Sequence, residues 1–260
     1  MIDYWYLWFY FIMVSFLGFV LIRDDVKEVV SKENINLERF IFYVSILVLV
    51  IFAGARGMNT GVDDWMYRGS FTELVAKVRT QSIIEIIHQF KYEPLTTFIM
   101  YIVSLLSSDA DVFILAYAMI SVSVNCYAFK KFSPLVLVSI AIYSSHLFIN
   151  KEMNQIRFGL SSAFFILSVC YYSQGKTLIT LVLQLIAILA HQTALAGCVM
   201  FLFTLIPMKK YLPFIIVLIS IPLGFIGGKV IFGSIFPYLP PNVLNYEGGE
   251  FDTDMNIISL

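Results

Sequence analysis

Nine stretches of this chain contain no Asp, Glu, Lys or Arg: 4–22, 40–55, 94–108, 112–129, 132–150, 158–175, 177–208, 211–228 and 230–246. A helix rises about 1.5 Å per residue, so about 20 apolar residues cross the roughly 30 Å of bilayer hydrocarbon. Hydrocarbon offers the backbone no hydrogen-bonding partner, which restricts spanning structure to helices and closed barrels. Barrel strands alternate apolar and polar residues, whereas these runs are apolar throughout. The expected fold class is all-α: a polytopic transmembrane helical bundle of about 8–9 membrane segments, with 1–260 as a single membrane domain.

Composition excludes the main alternatives. Charged residues make up 13% of the chain and hydrophobic ones 59%, against about one quarter charged in a soluble domain. A soluble enzyme and a disordered tail are therefore excluded. A net charge of -1 leaves no basic face for nucleic acid. Cys126, Cys170 and Cys198 stand singly in apolar runs, without CxxC spacing, and read as packing residues. The first run lacks the basic start and small-residue cleavage site of a signal peptide and reads as a retained helix.

Charge at the ends of the runs orients them. Thr177–Met208 is 32 residues, or about 48 Å of helix, too long for one upright pass. Lys176, Lys209 and Lys210 flank it, and the positive-inside rule places both ends in the cytoplasm. The run is expected to be a hairpin bent near His191, which then sits below the outer interface in a protein-lined cavity. Lys130 and Lys131 fit the same scheme, and they place 149–157 on the outer side. The N-terminal half leaves two alternatives. Either 94–108 is re-entrant, or the mixed-charge loop 23–39 lies on the other side from Lys130.

The longest polar connection, 56–93, reads as an extracytoplasmic loop. Phe71, Leu74, Val75 and Val78 recur at helical spacing, as do Ile83, Ile86, Ile87 and Phe90, which predicts two interfacial amphipathic helices. At the other end, 232–260 reads as a polar tail. It stops at Ile257-Ile258-Ser259-Leu260, the apparent start of a further apolar run, so a shortened chain is expected.

Ionisable groups at membrane depth are costly and mark function by default. In Arg56-Gly57-Met58-Asn59-Thr60-Gly61-Val62-Asp63-Asp64-Trp65-Met66-Tyr67, an arginine and two acids follow a membrane pass. An exposed loop with Arg56 snorkelling explains them; so does a carboxylate placed to take a proton from a hydroxyl, with Arg56 near an anion. Asn150-Lys151-Glu152-Met153-Asn154-Gln155-Ile156-Arg157 precedes an apolar run. There a helix N-terminus and a planar guanidinium suit phosphate oxygens, although headgroup anchoring also accounts for Arg157. His191 reads either as a core histidine or as a functional group on the same side as Arg157. Glu93 before Pro94 suits the first turn of a helix. His88 and His146 carry no further signal. No clustered metal-ligand spacing exists, so neither a catalytic metal nor a cofactor is expected.

The pieces Arg56, Gly61-Val62-Asp63 and Tyr67, then Tyr92-Glu93-Pro94-Leu95, Asn154-Gln155-Ile156-Arg157, Gly175-Lys176 and Leu189-Ala190-His191-Gln192-Thr193-Ala194-Leu195 run in order over about 50–210. In these the chain resembles the EpsG family, which belongs with the Wzy-type polymerases of bacterial exopolysaccharide and O-antigen. It departs from the family at Phe158, where members commonly carry Gln, and in being shorter than most of them.

The resemblance implies a GT-C-like membrane glycosyltransferase in the bacterial cytoplasmic (inner) membrane, working at its outer face. Such an enzyme transfers a growing glycan from undecaprenyl diphosphate to a sugar hydroxyl of another lipid-linked repeat unit, and a lipid-facing groove admits the isoprenoid tail. Implied partners are the undecaprenyl-diphosphate-linked oligosaccharide, the lipid bilayer, a chain-length regulator and a flippase. Asp63, with Asp64 as second choice, takes the role of base. Arg157 and Arg56 stabilise the departing diphosphate, and His191 contacts the diphosphate or relays a proton. Asn154, Glu93 and Tyr67 complete the substrate-binding set. Competing readings are a flippase or other transporter, a glycan acyltransferase, and a scaffold. No inverted repeat favours transport, and the charged groups gather at one expected surface.

Overall fold

The computed structural model describes residues 32–204, apart from Asn59 and Val62, with a few isolated positions outside that span. The runs 4–22, 211–228 and 230–246 and the tail 232–260 lie outside the described residues. The elements in chain order are α1 (Lys32–Gly54), α2 (Asp64–Val78), α3 (Ile83–Gln89), α4 (Pro94–Ser104), α5 (Ala110–Phe132) and α6 (Val136–Ile142). The last runs directly into a π-helical stretch, Tyr143–Glu152. Then come α7 (Ile156–Ser173), α8 (Thr177–Ala190), a 3₁₀ turn (Gln192–Ala194) and α9 (Leu195–Thr204). Among the described residues there is no strand. Two compact units divide the chain, Met1–Cys198 and Val199–Leu260, and everything that follows concerns the first.

Among the described residues, three segments are long and apolar enough to cross a membrane: Asn36–Gly54, Ala110–Phe132 and Ile156–Ser173. Several of the charge-free runs therefore form shorter helices. The break within 177–208 falls at His191, whose backbone is extended (φ -159, ψ 131). Gln184 Nε2 then donates to Ala194 O at 2.6 Å, so the chain doubles back on α8 at this point.

Local chemistry sets several boundaries. Ser82 and Glu85 form a reciprocal capping box that starts α3, satisfying two otherwise unpaired N–H groups. Pro94 occupies the first turn of α4, where its missing N–H costs nothing. Gly175, at φ +72, ends α7 in the left-handed conformation that glycine adopts without strain.

α5 lies at the centre, against α1 on one side and α7 on another, and α7 makes its broadest contact with α8. Gly54 lets α1 approach α5 closely, since a Cβ there would lie 2.9 Å from Leu115 Cα. At the opposite end of the pair, Lys130 Nζ donates to the Tyr43 hydroxyl at 2.8 Å. The two helices are thus antiparallel, and the chain between them leaves and re-enters at one end of the bundle. α4 has 11 residues, about 16 Å, roughly half the hydrocarbon thickness. Lys131 and Lys176 crowd Tyr171 at the same end as Lys130, so the basic residues of two inter-helix connections, α5–α6 and α7–α8, collect together.

The two helices expected in 56–93 are present as α2 and α3. They are held by protein contacts: Phe71, Leu74 and Ile86 are fully buried in a cluster with Met100 of α4 and Phe113 and Tyr117 of α5. Phe71 and Phe113 stack with ring centroids 5.2 Å apart. α8 shows the opposite pattern. Thr180, Gln184, Ala187 and Ala190 face inward, whereas Leu178 is 76% exposed and Leu181 61%. Small and polar residues packing inward beneath an apolar exterior suit a helix solvated by lipid.

Candidate active site

The end of the bundle opposite the lysines carries two polar networks. Gly61 brings the loop after α1 onto the turn that precedes α7. A Cβ at Gly61 would lie 2.1 Å from Met153 O and 3.0 Å from Asn154 Oδ1, so only glycine permits this approach.

The first network centres on the buried Asp64 and Arg56 and is paired within the protein except at Arg56 Nη2, which is buried without a partner. Asp64 accepts from Arg56 Nε at 3.0 Å through Oδ1 and from Arg68 Nε at 2.8 Å through Oδ2. The Asp64 side chain has no exposure. Arg68 also pairs with Asp111 at the start of α5 and donates to Arg56 O at 3.2 Å. Arg56 Nη1 donates to Glu152 O at 2.7 Å. These bonds tie the loop, α2, α5 and the π-helical stretch together. They also change the expected roles of two residues. Each carboxylate oxygen of Asp64 is held by a guanidinium group, so its charge is balanced within the protein. Arg56, 2% exposed, bridges Asp64 and the Glu152 carbonyl.

The second network gathers the remaining residues around Arg157. Its Nη1 donates to Glu93 Oε2 at 2.6 Å, and its guanidinium carbon lies 4.4 Å from the centre of the Tyr92 ring, a cation–π distance. The Tyr67 hydroxyl bonds to the same guanidinium, while burial pushes the phenol up to about 12. The other oxygen of Glu93 lies 3.3 Å from His191 Nδ1 and 3.4 Å from the Gln192 N–H, which donates to it. Glu93 thus joins Arg157 to the Gln192 backbone beside the His191 imidazole, whose Nδ1 accepts from the Thr193 N–H at 3.4 Å. Asp63, half-buried and making no capping bond with its side chain, faces Arg157; burial raises its pKa and the guanidinium partly offsets that. Arg157 Nε is buried and without a partner, leaving one donor of the fork unmatched.

Asn154 sits between the networks, its amide donating to Ile149 O at 3.3 Å, and it supports the turn under Gly61. Of the expected residues, the structure therefore brings Asp63, Tyr67, Glu93, Arg157 and His191 together and sets Arg56, Asp64 and Asn154 into the supporting framework.

Four further residues belong here. Tyr92 supplies the ring beneath Arg157, and its place beside Glu93 was the available signal. Lys151 Nζ lies 3.7 Å from the centre of the Phe158 ring, and that ring meets the His191 imidazole edge-on at 6.0 Å. Glu152, fully buried, accepts from the Tyr143 hydroxyl at 2.7 Å and from Asn125 Nδ2 at 3.2 Å. With no cation bonded to it, burial pushes its carboxyl up to about 7. Only three-dimensional placement reveals this carboxyl as a buried group hydrogen-bonded by neutral donors.

The sequence pattern of the EpsG family matches residues 39–254, a span that contains both networks. The chain belongs to the EpsG family. This EpsG-family chain is also similar to the amylovoran biosynthesis protein AmsC of Erwinia amylovora, at 34% identity over 263 residues, covering 100% of this chain and 69% of that protein. No solved structure matches it.

Proposed function

We propose that this EpsG-family protein is a polysaccharide polymerase of the bacterial cytoplasmic membrane. Family membership and the likeness to an amylovoran biosynthesis protein support a part in exopolysaccharide biosynthesis. The proposed reaction joins undecaprenyl-diphosphate-linked repeat units. An acceptor sugar hydroxyl attacks the anomeric carbon of the donor glycan. The new C–O bond forms as the anomeric carbon–oxygen bond to the diphosphate breaks, and undecaprenyl diphosphate leaves with the electron pair.

The observation that carries this reading is the arrangement around Arg157: a guanidinium fixed by Glu93, Tyr67 and Tyr92, with Nε unpartnered. A prepositioned fork with an unmatched donor suits charge that develops on a departing diphosphate. Asp63 takes the hydroxyl proton; its burial moves its affinity for a proton toward the working pH. His191, 3.3 Å from the second oxygen of Glu93, contacts the diphosphate. The positive-inside rule puts the Lys130, Lys131 and Lys176 end in the cytoplasm, and hence this cluster at the outer face, in a multi-pass GT-C-like bundle.

Labelled lipid-linked oligosaccharide presented to the purified protein tests the proposal. A polymerase yields a ladder of longer products, and Arg157→Ala leaves single repeat units. A flippase or an acyltransferase makes no ladder. Long chains formed by Arg157→Ala would overturn the assignment.

A further inference from the structure

We infer that the lysine end of the bundle binds the phosphate of an anionic phospholipid, at a site that Lys131, Lys176, Tyr127 and Tyr171 build between α5 and α7. The site lies opposite the Arg157 cluster and requires only that the bundle sits in a bilayer, whatever reaction the other end performs.

Lys131 stands in the last turn of α5 and Lys176 immediately before α8. Both are exposed, yet they converge on one buried ring. The centre of Tyr171 lies 4.7 Å from the Lys131 ammonium and 5.5 Å from that of Lys176. Lys131 Nζ donates to the Tyr171 hydroxyl at 2.5 Å and to the Tyr127 hydroxyl at 2.8 Å, and the two phenols meet at 3.3 Å. Among the described residues, neither these two lysines nor the neighbouring Lys130 pairs with a carboxylate. The helix ends do not supply the missing charge. The α5–α6 and α7–α8 connections each join a helix C-terminus to an N-terminus, whose partial charges oppose. Two ammonium groups gathered on one ring repel each other. An ammonium has three donors and no acceptor, and both phenol oxygens already accept from Lys131. The face thus offers donors and positive charge, which the oxygens of an ionised phosphate, acceptors only, match.

Two observations favour a phosphate carried by a lipid over a soluble one. Tyr43 and Tyr127 are about half-exposed near the helix ends, and amphipathic rings of this kind collect at headgroup level. From Lys176 an apolar face of α8 continues through Leu178, Leu181 and Leu185, each more than half exposed and spaced to share one side of the helix. Acyl chains joined to a phosphate at Lys176 have this face to lie against. A lipid with net negative charge is selected over a zwitterionic one, because no carboxylate pairs with the lysines and none is held there to meet a choline ammonium.

The test is native mass spectrometry of the full chain released from mixed micelles of phosphatidylglycerol and phosphatidylcholine with matched acyl chains. The wild-type protein should retain phosphatidylglycerol about thirtyfold better, the factor for two lysines beside an anionic headgroup. Lys131→Gln with Lys176→Gln should abolish the preference, and Lys131→Arg with Lys176→Arg should keep it. Lys77→Gln, which removes a lysine already paired with Glu73, should leave it unchanged. Inorganic phosphate at the same concentration as the lipid should not displace it. Equal retention of the two lipids by the wild type, as when an acidic protein segment covers the lysines, overturns the inference. So does an undiminished preference in the double Gln variant, an equal loss in Lys77→Gln, or displacement by inorganic phosphate.

Discussion

Replacing Gly61 by Ala tests how the loop after α1 positions the site. The new Cβ would sit 2.1 Å from Met153 O, and ordinary contact between carbon and oxygen needs roughly 1 Å more. The obstacle is a backbone atom at the end of the π-helical stretch, so no rotamer change relieves it; the loop must move. Asp63 lies two residues further on and would move with it, away from Arg157. A misplacement of about 1 Å can cost about 100-fold in rate, while overpacking costs about 1–3 kcal/mol of stability. In detergent, Gly61→Ala should lower the initial rate of ladder formation by about 100-fold with only a modest fall in Tm. Wild-type rate together with wild-type Tm would show that the loop does not rest on Met153, and the positional argument for Asp63 would fail.

Glu93→Gln removes the charge shared by Arg157 and His191, and the loss of a charge-assisted bond worth about 1.5–3 kcal/mol should slow polymerisation about 10–100-fold without changing expression. Asp63→Asn should keep the fold and lose about 10²–10⁴ in rate, measured by single-turnover transfer. Asp64→Ala should instead reduce stability by about 3–5 kcal/mol, because the buried Arg56 guanidinium loses its anion and Arg68 keeps only Asp111; thermal unfolding and yield report it. Glu152 gives a pH signature. Its carboxyl is raised from 4.5 to about 7, so the folded state holds a proton that the unfolded state has released, and stability falls as pH rises from about 4.5 to about 7. Glu152→Gln should flatten this part of the curve, and its gain in Tm over wild type should be larger at pH 8 than at pH 5. Cys126, Tyr143 and Arg56 are the other titratable or charged groups acting on Glu152, and the substitution leaves them in place.

Much of this arrangement was legible in the residues. Charge-free runs marked helices, and the length of 177–208 demanded a break, which falls at His191. Phe71 and Leu74 at helical spacing marked α2. Arg157 and His191 were recognisable because ionisable side chains beside apolar runs need a reason to be there. The partition between Asp63 and Asp64 was not legible. Adjacent acids on a helix start point in different directions, and which one is paired depends on Arg68 one turn later and on Asp111, which is 47 residues away from Asp64. Glu152 was equally hidden. Its burial follows from Gly159, where a Cβ would come within 3.0 Å of the Glu152 carboxylate, a contact that sequence spacing does not encode. The length of α4, only 11 residues within the run 94–108, was not legible either, since charge-free spacing does not mark where a helix ends.

The inverted faces of α8 reverse the usual map of mutational tolerance. Exchanging Leu178 or Leu181 for Ile or Val should pass unnoticed, because alkyl chains solvate all of them equally well. Enlarging Ala187 or Ala190, each with 0% exposure, should push the hairpin off α7 and carry His191 with it. For this helix, bulk on the inside is the hazard, and the residues that resist replacement are the smallest ones.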